Sequence, residues 1–189
     1  MRSIGRPSPS EISSFLLRQA CAKDGAALWR WARATGTLEQ NSPYFYLLFA
    51  SDFCDTCLIA EPIEKAGAGE MAGAVLGYHP PREPDAAFVW QIGVLPRWRG
   101  QGLGVQMLKA WWALPGNRGR KWLTTTVAED NRASQALFER FAREQGASCQ
   151  VHPHFTRDLF PRKHAAEPLY RIGPLRSLRG NAPARFPKS

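Results

Sequence analysis

Three closely spaced glycines lie between two apolar segments, and this feature constrains the fold more than any other. The run reads Arg99-Gly-Gln-Gly-Leu-Gly104. Residues 87–95 before it form a long strand-like segment that Pro96 ends. Residues 105–113 after it repeat apolar side chains at helical spacing. The sequence therefore predicts a strand, a glycine-rich turn and a helix in immediate succession.

Such a turn has two interpretations. Glycines let a ligand approach the backbone, and the start of the following helix presents unpaired N–H groups and a positive dipole end, so a pyrophosphate would bind well. An ordinary strand-to-helix turn explains the same six residues. A dinucleotide-binding fold of the Rossmann type is disfavoured, because the spacing is Gly-x-Gly-x-Gly and the preceding strands look antiparallel.

The rest of the chain predicts a single α+β domain with a mixed, mostly antiparallel sheet flanked by helices. The predicted elements are strand 15–20, a helix capped by Asp24, helix 44–53 capped by Asn41 and Ser42, strands 56–60, 71–78 and 87–95, helix 105–113, strand 121–127, a helix capped by Asp130 or Asn131, and strands 150–152 and 169–172. In the helix after Asn131, the predicted buried stripe consists of Ala133, Ala136, Leu137, Phe141 and Ala142.

The two ends of the chain differ from its middle in composition. Residues 1–12 are rich in Ser, Pro and Gly and are expected to form a flexible leader. Residues 13–173 are expected to form the folded domain. Residues 174–189 are rich in Pro, Arg and Ser and are expected to form a basic tail.

Net charge, hydropathy and cysteine content indicate which ligands and which cellular compartment to expect. The 189 residues carry 25 Lys and Arg against 16 Asp and Glu, a net charge of +9, so the surface should attract anions. No apolar run approaches the roughly 20 residues that span a bilayer, so no membrane association is expected. No secretory signal is recognised, and a cytoplasmic protein with four free thiols is predicted. Cys54 and Cys57 have metal-ligand spacing, but buried thiols explain them better and no metal is expected.

The glycine-rich run and a later helix start together carry a family resemblance. Arg-x-x-Gly-x-Gly after a strand, followed by Asn131-Arg-Ala-Ser134 at the start of a helix, resembles the GCN5-related N-acetyltransferase (GNAT) superfamily over residues 14–172. The resemblance implies an acetyl-CoA co-substrate and splayed strands 87–95 and 121–127 that admit it. Gly93 is the expected place for a bulge that opens this gap.

Five separated motifs resemble one family within that superfamily, the L-2,4-diaminobutyrate acetyltransferases of ectoine biosynthesis. The motifs are Glu39 to Leu48, Phe88 to Gln91, Arg99 to Gly104, Thr124 to Thr126 with Asn131, and His164 to Pro174. The implied activity is transfer of acetyl from acetyl-CoA to the 4-amino group of L-2,4-diaminobutyrate. The resemblance also implies a homodimer.

Candidate site residues follow from these motifs. The expected cofactor-binding residues are Ile92, Gly93, Val94, Arg99, Gly100, Gln101, Gly102, Leu103, Gly104, Asn131, Ser134 and Phe138. The expected substrate-binding residues are Glu39, Asn41, Ser42, Tyr44, Tyr46, Trp90 and Gln91. Core packing would equally explain the three aromatic residues, and helix capping would explain Asn41 and Ser42.

His164 and Glu167 are the expected catalytic residues. Histidine has the better intrinsic pKa for a general base, and a carboxylate suits an ammonium ion, but desolvation could make Glu167 the base. Both assignments stay open at this stage. Many members of the superfamily place a tyrosine on the helix after the Asn to protonate the departing thiolate. Phe138 stands in that region and has no hydroxyl to do so.

Two other functions are compatible with the sequence. An acetyltransferase of the same fold could act on a polyamine, an aminoglycoside or a protein lysine. A basic chain with seven Trp could instead bind nucleic acid. Much of the excess charge lies toward the C-terminus, as at Arg176, Arg179 and Arg185, so no nucleic-acid partner is expected.

Overall fold

A twisted sheet runs through the whole folded region. The computed structural model describes residues 14–65 and 70–176, so the predicted leader and most of the predicted tail lie outside the described residues. Within them the strands are β1 Phe15–Gln19, β2 Cys57–Pro62, β3 Gly73–Tyr78, β4 Ala86–Val94, β5 Trp122–Thr126, β6 Ser148–Phe155 and β7 Glu167–Gly173. The helices are α1 Gly25–Thr35, α2 Pro43–Ser51, α3 Leu103–Trp112 and α4 Arg132–Glu144.

The strands form one mixed sheet in the order β1-β2-β3-β4-β5-β7-β6. Neighbouring strands are antiparallel except for β4 and β5, which are parallel. This arrangement confirms the predicted α+β class and the mostly antiparallel sheet. The predicted strands and helices all exist, with ends that differ by a few residues.

The central parallel pair separates after a short contact. Ala86, Ala87 and Phe88 lie opposite Trp122, Leu123 and Thr124, and the pairing stops there although β4 continues to Val94. One edge of β4 is therefore left without a strand partner. This splaying of the two strands was predicted, and it opens a gap in the middle of the sheet.

The bulge in β4 does not lie where the sequence predicted it. Leu76 faces Gln91 and Gly77 faces Val89, so Trp90 is the extra residue, whereas Gly93 pairs in register with Ala74. The prediction of a bulge at Gly93 was wrong. A Cβ on Gly93 would lie 3.0 Å from atoms of both Trp31 and Leu38, so the glycine allows α1 to pack closely against the sheet.

Each face of the sheet carries its own apolar core. Helices α3 and α4 cover one face, where Leu108, Trp111 and Phe141 are fully buried. Helices α1 and α2 cover the other, where Leu28, Tyr46 and Ile59 are fully buried. Leu175 also packs into the first core, two residues past the predicted limit of the domain at Gly173.

Two of the three predicted helix caps form. Ser42 Oγ accepts a hydrogen bond from Phe45 N at 3.2 Å, and Asn131 Oδ1 accepts one from Ser134 N at 3.1 Å. Asp24 lies at the start of α1 without capping it. Its carboxylate instead accepts hydrogen bonds from Cys21 N and Arg18, and this stronger charged partner explains the difference.

The buried stripe of α4 was only partly predicted. Phe138, Phe141 and Ala142 are buried, whereas Ala133 and Ala136 are exposed. At 3.6 residues per turn, Ala133 and Ala136 lie on the side of α4 away from Phe138, Phe141 and Ala142, which face the sheet. Within residues 14–65 and 70–176, no helix combines the length and the apolar content needed to cross a bilayer.

Candidate active site

A cavity of about 710 Å³ fills the gap between the splayed strands. Its walls come from β4, from residues 125–128 at the end of β5, from the start of α4, from residues 37–39, and from His154, Phe155, Phe160, His164 and Glu167. The diverging strands thus bring together segments that lie far apart in the sequence. A small polar ligand and the arm of a larger one fit a space of this size.

The glycine-rich loop, residues 99–104, exposes its backbone, and none of its residues is in the lining of the cavity. Gly100 and Gly102 have φ angles of +79° and +75°, which disfavour other residues, and an added Cβ at either would meet nothing within 4 Å. Among the described residues, the backbone N–H groups of 100–104 have no hydrogen-bond partner. Gly102 precedes α3, so these donors lie at the positive end of its dipole and can bind phosphate oxygens.

The side chain of Arg99 lies against protein backbone rather than over this loop. Its Nε donates to the Val94 carbonyl at 3.0 Å, and its Nη2 donates to the Thr35 carbonyl at 2.7 Å. Gly104 serves a packing role, since a Cβ there would lie 3.0 Å from Leu137 Cδ1 of α4. Gln101 is exposed and Leu103 is buried at the start of α3.

The free edge of β4 directs two N–H groups into the gap. Leu95 N donates to Ala72 O on the β3 side, and successive residues of a strand point to opposite sides. The N–H of Gly93 therefore faces β3, whereas those of Ile92 and Val94 point away from β3, toward the gap. Of these two residues, Ile92 lines the cavity and Val94 does not. Two of the three predicted residues therefore have their N–H groups on the open edge of β4.

The start of α4 forms a further wall. Asn131, Ser134 and Phe138 all line the cavity. The Asn131 side chain caps the helix, which orients the first N–H groups of α4 along the wall. Phe138 is 2% exposed and supplies an apolar surface.

His164 and Glu167 lie close to each other in the lining of the cavity, just before and at the start of β7. His164 Nε2 lies 3.8 Å from Glu167 Oε1, and Thr126 Oγ1 donates to Glu167 Oε2 at 2.7 Å. The other ring nitrogen of His164, Nδ1, lies 2.7 Å from the Ala165 carbonyl. The imidazole stacks on Phe160 with ring centroids 4.0 Å apart. Both side chains are partly exposed, at 38% and 25%, so a ligand in the cavity can reach them.

The predicted substrate-binding residues divide into three groups. Glu39, Trp90 and Gln91 line the cavity. Tyr46 is fully buried behind it and donates from its hydroxyl to Gln91 Oε1 at 3.3 Å. The structure does not bring Asn41, Ser42 or Tyr44 into the lining: Ser42 caps α2, and Tyr44 is 71% exposed on its outer surface.

The lining is acidic. Glu39, Asp130 and Glu167 contribute carboxylates, and no Lys or Arg is among the lining residues of the described chain. Cationic side chains instead line an adjoining cavity of about 770 Å³ that shares Asp130 and His164: Arg132, Arg157 and Lys163. The carboxylates of the first cavity suit a positively charged ligand there.

Sequence reasoning missed several lining residues. Thr126 was noticed as part of a motif but received no role, although it holds Glu167. Tyr78 lines the cavity, and burial raises the pKa of its hydroxyl above the ordinary value of 10.0. Thr37 and Phe160 also line it. None of these residues belongs to a recognisable local sequence pattern. Their place in the lining becomes visible only in the structure, where distant segments meet. In the described part of the chain, no three His, Cys, Asp or Glu side chains cluster as metal ligands.

Known proteins are similar to this chain in fold and in sequence. The acetyltransferase (GNAT) family profile matches residues 25–142. The crystal structure of Ard1 from Thermoplasma volcanium, 17% identical, shows the same fold with a TM-score of 0.65 over 85% of this chain and 98% of that one.

Several proteins that are more similar in sequence are diaminobutyrate acetyltransferases by name. The L-2,4-diaminobutyric acid acetyltransferase of Nocardia farcinica is 40% identical over 164 residues, 87% of this chain and 82% of that protein. The enzyme of the same name from Shouchella clausii is 37% identical over 85% of this chain and 88% of its own. The structure of diaminobutyrate acetyltransferase EctA from Paenibacillus lautus, in complex with L-2,4-diaminobutyric acid and coenzyme A, is 36% identical with a TM-score of 0.78 over 85% of this chain and 95% of that one. The chain therefore belongs to the GNAT family and, within it, to the L-2,4-diaminobutyric acid acetyltransferases.

Proposed function

We propose that this protein transfers the acetyl group of acetyl-CoA to the 4-amino group of L-2,4-diaminobutyrate in ectoine biosynthesis. The product is N4-acetyl-L-2,4-diaminobutyrate. The observation that carries the proposal is the cavity between β4 and β5, which is bounded by β4 and the start of α4 and holds an acidic pocket with His164. The glycine-rich loop contacts both elements, through Arg99 on the Val94 carbonyl and Gly104 close to Leu137. The 36% identical relative that binds both ligands supports it.

The reaction needs a base in this pocket. An alkyl ammonium with a pKa of about 10 is neutral in only about one molecule in a thousand at pH 7, which costs roughly 4 kcal/mol before attack. Only the neutral amine has the lone pair that attacks a thioester. A group beside the substrate must therefore accept the proton.

The geometry favours His164 as that base. Its Nδ1 lies 2.7 Å from a carbonyl oxygen, which can only accept, so the neutral ring carries its proton on Nδ1. This leaves the lone pair on Nε2, the atom nearer to Glu167. Glu167, oriented by Thr126, then binds the ammonium and stabilises the imidazolium that forms. Glu39 adds a carboxylate for the second amine on the opposite wall.

The acyl transfer follows from these positions. The substrate ammonium gives one proton to His164 Nε2, and the amine nitrogen attacks the thioester carbon. The N–H groups of Ile92 and Val94 stabilise the oxyanion, and the tetrahedral intermediate collapses with cleavage of the C–S bond. C–S cleavage leaves coenzyme A as the thiolate and the amide nitrogen with one surplus proton, which passes to solvent water. The thiolate takes a proton from solvent, since Phe138 has none to donate, and His164 returns its proton to solvent before the next turnover.

Turnover of diaminobutyrate tests the proposal directly. We expect thiol release from acetyl-CoA with diaminobutyrate at least tenfold faster in kcat/KM than with a polyamine, an aminoglycoside or a lysine peptide. NMR of the product should show acetylation at the 4-amino group. Faster turnover of one of the other amines, or no turnover of diaminobutyrate, would refute it.

Two variants separate the base from the ammonium ligand. His164→Ala should lose the pH dependence of kcat on the acidic side and reduce kcat by about a hundredfold or more, consistent with general base catalysis. Glu167→Gln should mainly raise the KM for diaminobutyrate. The reverse pattern would assign the base to Glu167.

We also propose that the enzyme is a homodimer that works in the cytoplasm, where acetyl-CoA is made. Strand β6 lies at the edge of the sheet, and Val151 and Phe155 on it, with Leu159 nearby, are between 41% and 64% exposed. Such an apolar edge suits a second copy of the chain. Light scattering should give a dimer mass that falls to that of a monomer in Leu159→Glu, and cell fractionation tests the compartment.

A further inference from the structure

The segment between α1 and α2 forms the wall of the cavity on the amine side. Thr37, Leu38 and Glu39 line the cavity, although they belong to no helix or strand. A loop of this kind can shape a binding site only if it is held in place. Hydrogen bonds at both of its ends do so.

The first end is held at Thr35, the last residue of α1. The Thr35 hydroxyl is buried, donates to Ala32 O at 2.7 Å, and accepts from Thr37 N and Leu38 N at 3.4 Å and 3.3 Å. The Thr35 carbonyl accepts from Arg99 Nη2 at 2.7 Å. A guanidinium at this place also suits the negative end of the α1 dipole.

The second end is held at Glu39. Its backbone carbonyl accepts from Gln91 Nε2 at 2.9 Å, and Tyr46 donates to the oxygen of the same Gln91 side chain. Gln91 and Tyr46 are 7% and 0% exposed. The wall formed by residues 37–39 is therefore held at one end by Arg99, of the glycine-rich loop, and at the other by Gln91 of β4. We call residues 99–104 the cofactor loop.

Arg99 differs from Gln91 and Tyr46, which also hold the wall, because it belongs to the glycine-rich loop. It directly precedes Gly100, whose N–H group has no hydrogen-bond partner among the described residues. Its Nε donates to Val94 O on the free edge of β4, while Nη2 reaches Thr35 O. One side chain thus joins the cofactor loop, the edge of β4 and the wall of the amine pocket.

From this geometry we infer that Arg99 is a positioning residue for the amine pocket, rather than a ligand of the cofactor phosphates, and that it couples the two substrate sites. The inference rests on the proposed function. Coenzyme A on the loop 100–104 restrains the backbone next to Arg99, and Arg99 transmits this restraint to residues 37–39. Each ligand should therefore raise the affinity for the other, by the same factor in both directions.

The decisive variant is Arg99→Lys, which keeps the positive charge but lacks the planar fork that reaches two carbonyls. We expect the Kd of diaminobutyrate, measured by calorimetry on enzyme saturated with coenzyme A, to rise about tenfold. The Kd of coenzyme A alone should change less than threefold. Arg99→Met should behave in the same way, and Arg143→Lys, on an exposed arginine at the far end of α4, should leave both constants unchanged.

A second measurement needs no substrate. The amides of Thr37 and Leu38 should exchange hydrogen at least fivefold faster in Arg99→Lys than in the wild type, because the Thr35 carbonyl loses its partner. Thr35→Ser keeps the hydroxyl and should keep the slow exchange. A wild type that fails to bind diaminobutyrate would refute the proposed function while leaving this arm intact.

Two patterns of affinity would overturn the inference, and so would one result of the exchange measurement. One is a weaker affinity for coenzyme A with unchanged affinity for diaminobutyrate, which identifies Arg99 as a phosphate ligand. The other is an equal loss of both affinities together with a lower melting temperature, which identifies a general structural role. Unchanged exchange at Thr37 and Leu38 in Arg99→Lys would contradict it as well.

Discussion

At the scale of single residues, the position of Glu167 depends on one hydroxyl. Thr126 Oγ1 donates to Glu167 Oε2 at 2.7 Å, and His164 lies on the other carboxylate oxygen. Hydrogen bonds to charged groups contribute about 1.5–3 kcal/mol. Thr126 is therefore a positioning residue that fixes the direction of the carboxylate toward the cavity.

Replacement of this hydroxyl tests its role. Thr126→Val should raise the KM for diaminobutyrate about tenfold, because the carboxylate is no longer oriented toward the ammonium, and should change the KM for acetyl-CoA little. Steady-state kinetics with each substrate varied gives both constants. Thr124→Val makes the same change two residues earlier in β5, outside the lining, and serves as the control. A KM for diaminobutyrate within twofold of the wild type would contradict the prediction.

At the scale of elements, β4 shows where sequence reasoning stops. Its bulge at Trp90 shifts the alternation of side chains, so that Val89 packs into the core under α3 and α4 while Gln91 reaches Tyr46 on the α2 side. Gln91 can hold the Glu39 carbonyl only because of this shift. The apolar pattern predicted the strand, but the place of the bulge depends on the packing of both faces at once.

The glycine-rich loop lends itself to a matched comparison. Gly100 and Gly119 have φ angles of +79° and +81°, and an added Cβ at either meets nothing within 4 Å. Alanine should therefore destabilise the fold at both positions by a similar amount, about 1 kcal/mol, through backbone strain alone.

Only the change at Gly100 should affect the cofactor. Gly100→Ala should weaken binding of coenzyme A about fivefold or more, because the methyl group would stand beside the N–H donors that we expect to bind the pyrophosphate. Gly119→Ala should leave that binding unchanged. Urea unfolding and calorimetry measure the two effects separately, and an equal loss of affinity in both variants would show that the loop at Gly100 has no special role.

At the scale of the whole molecule, the order of elements could be predicted and their contacts could not. Helical spacing, caps such as Ser42 and the glycine-rich turn are local signals, and the structure contains each of them. The exposure of Ala133 and the bonding of Asp24 depend on neighbours that lie elsewhere in the sequence. The roles of Thr126 and Phe160 could not be predicted for the same reason: they contact Glu167 and His164 only in the folded chain.

One such contact links the first strand to the body of the sheet. Arg18 of β1 donates to both oxygens of Asp24 at 2.8 Å and 2.7 Å and to Glu61 of β2 at 2.6 Å. Asp24 and Glu61 are 8% and 2% exposed. Burial disfavours the Asp24 carboxylate, but the hydrogen bonds from Arg18 and from Cys21 N outweigh it, so the pKa of Asp24 lies below its ordinary value of 3.8.

The depressed pKa of Asp24 makes the stability of the molecule depend on pH. A carboxylate of this kind stabilises the fold above its unfolded pKa, and the contribution is lost as the pH falls through the folded value. Asp24→Asn should lower the free energy of unfolding by about 2 kcal/mol or more at pH 7, because Arg18 loses a buried charged partner, and the difference from the wild type should shrink below about pH 4. Urea unfolding followed by tryptophan fluorescence at pH 7, 4 and 2.5 measures this difference.

An exposed ion pair provides the control. Asp85→Asn removes an ion pair with Lys121 whose side chains are 56% and 61% exposed, and should lower the free energy of unfolding by less than about 1 kcal/mol. A deficit in Asp24→Asn that stays constant across this range would show that the charge of Asp24 does not stabilise the fold.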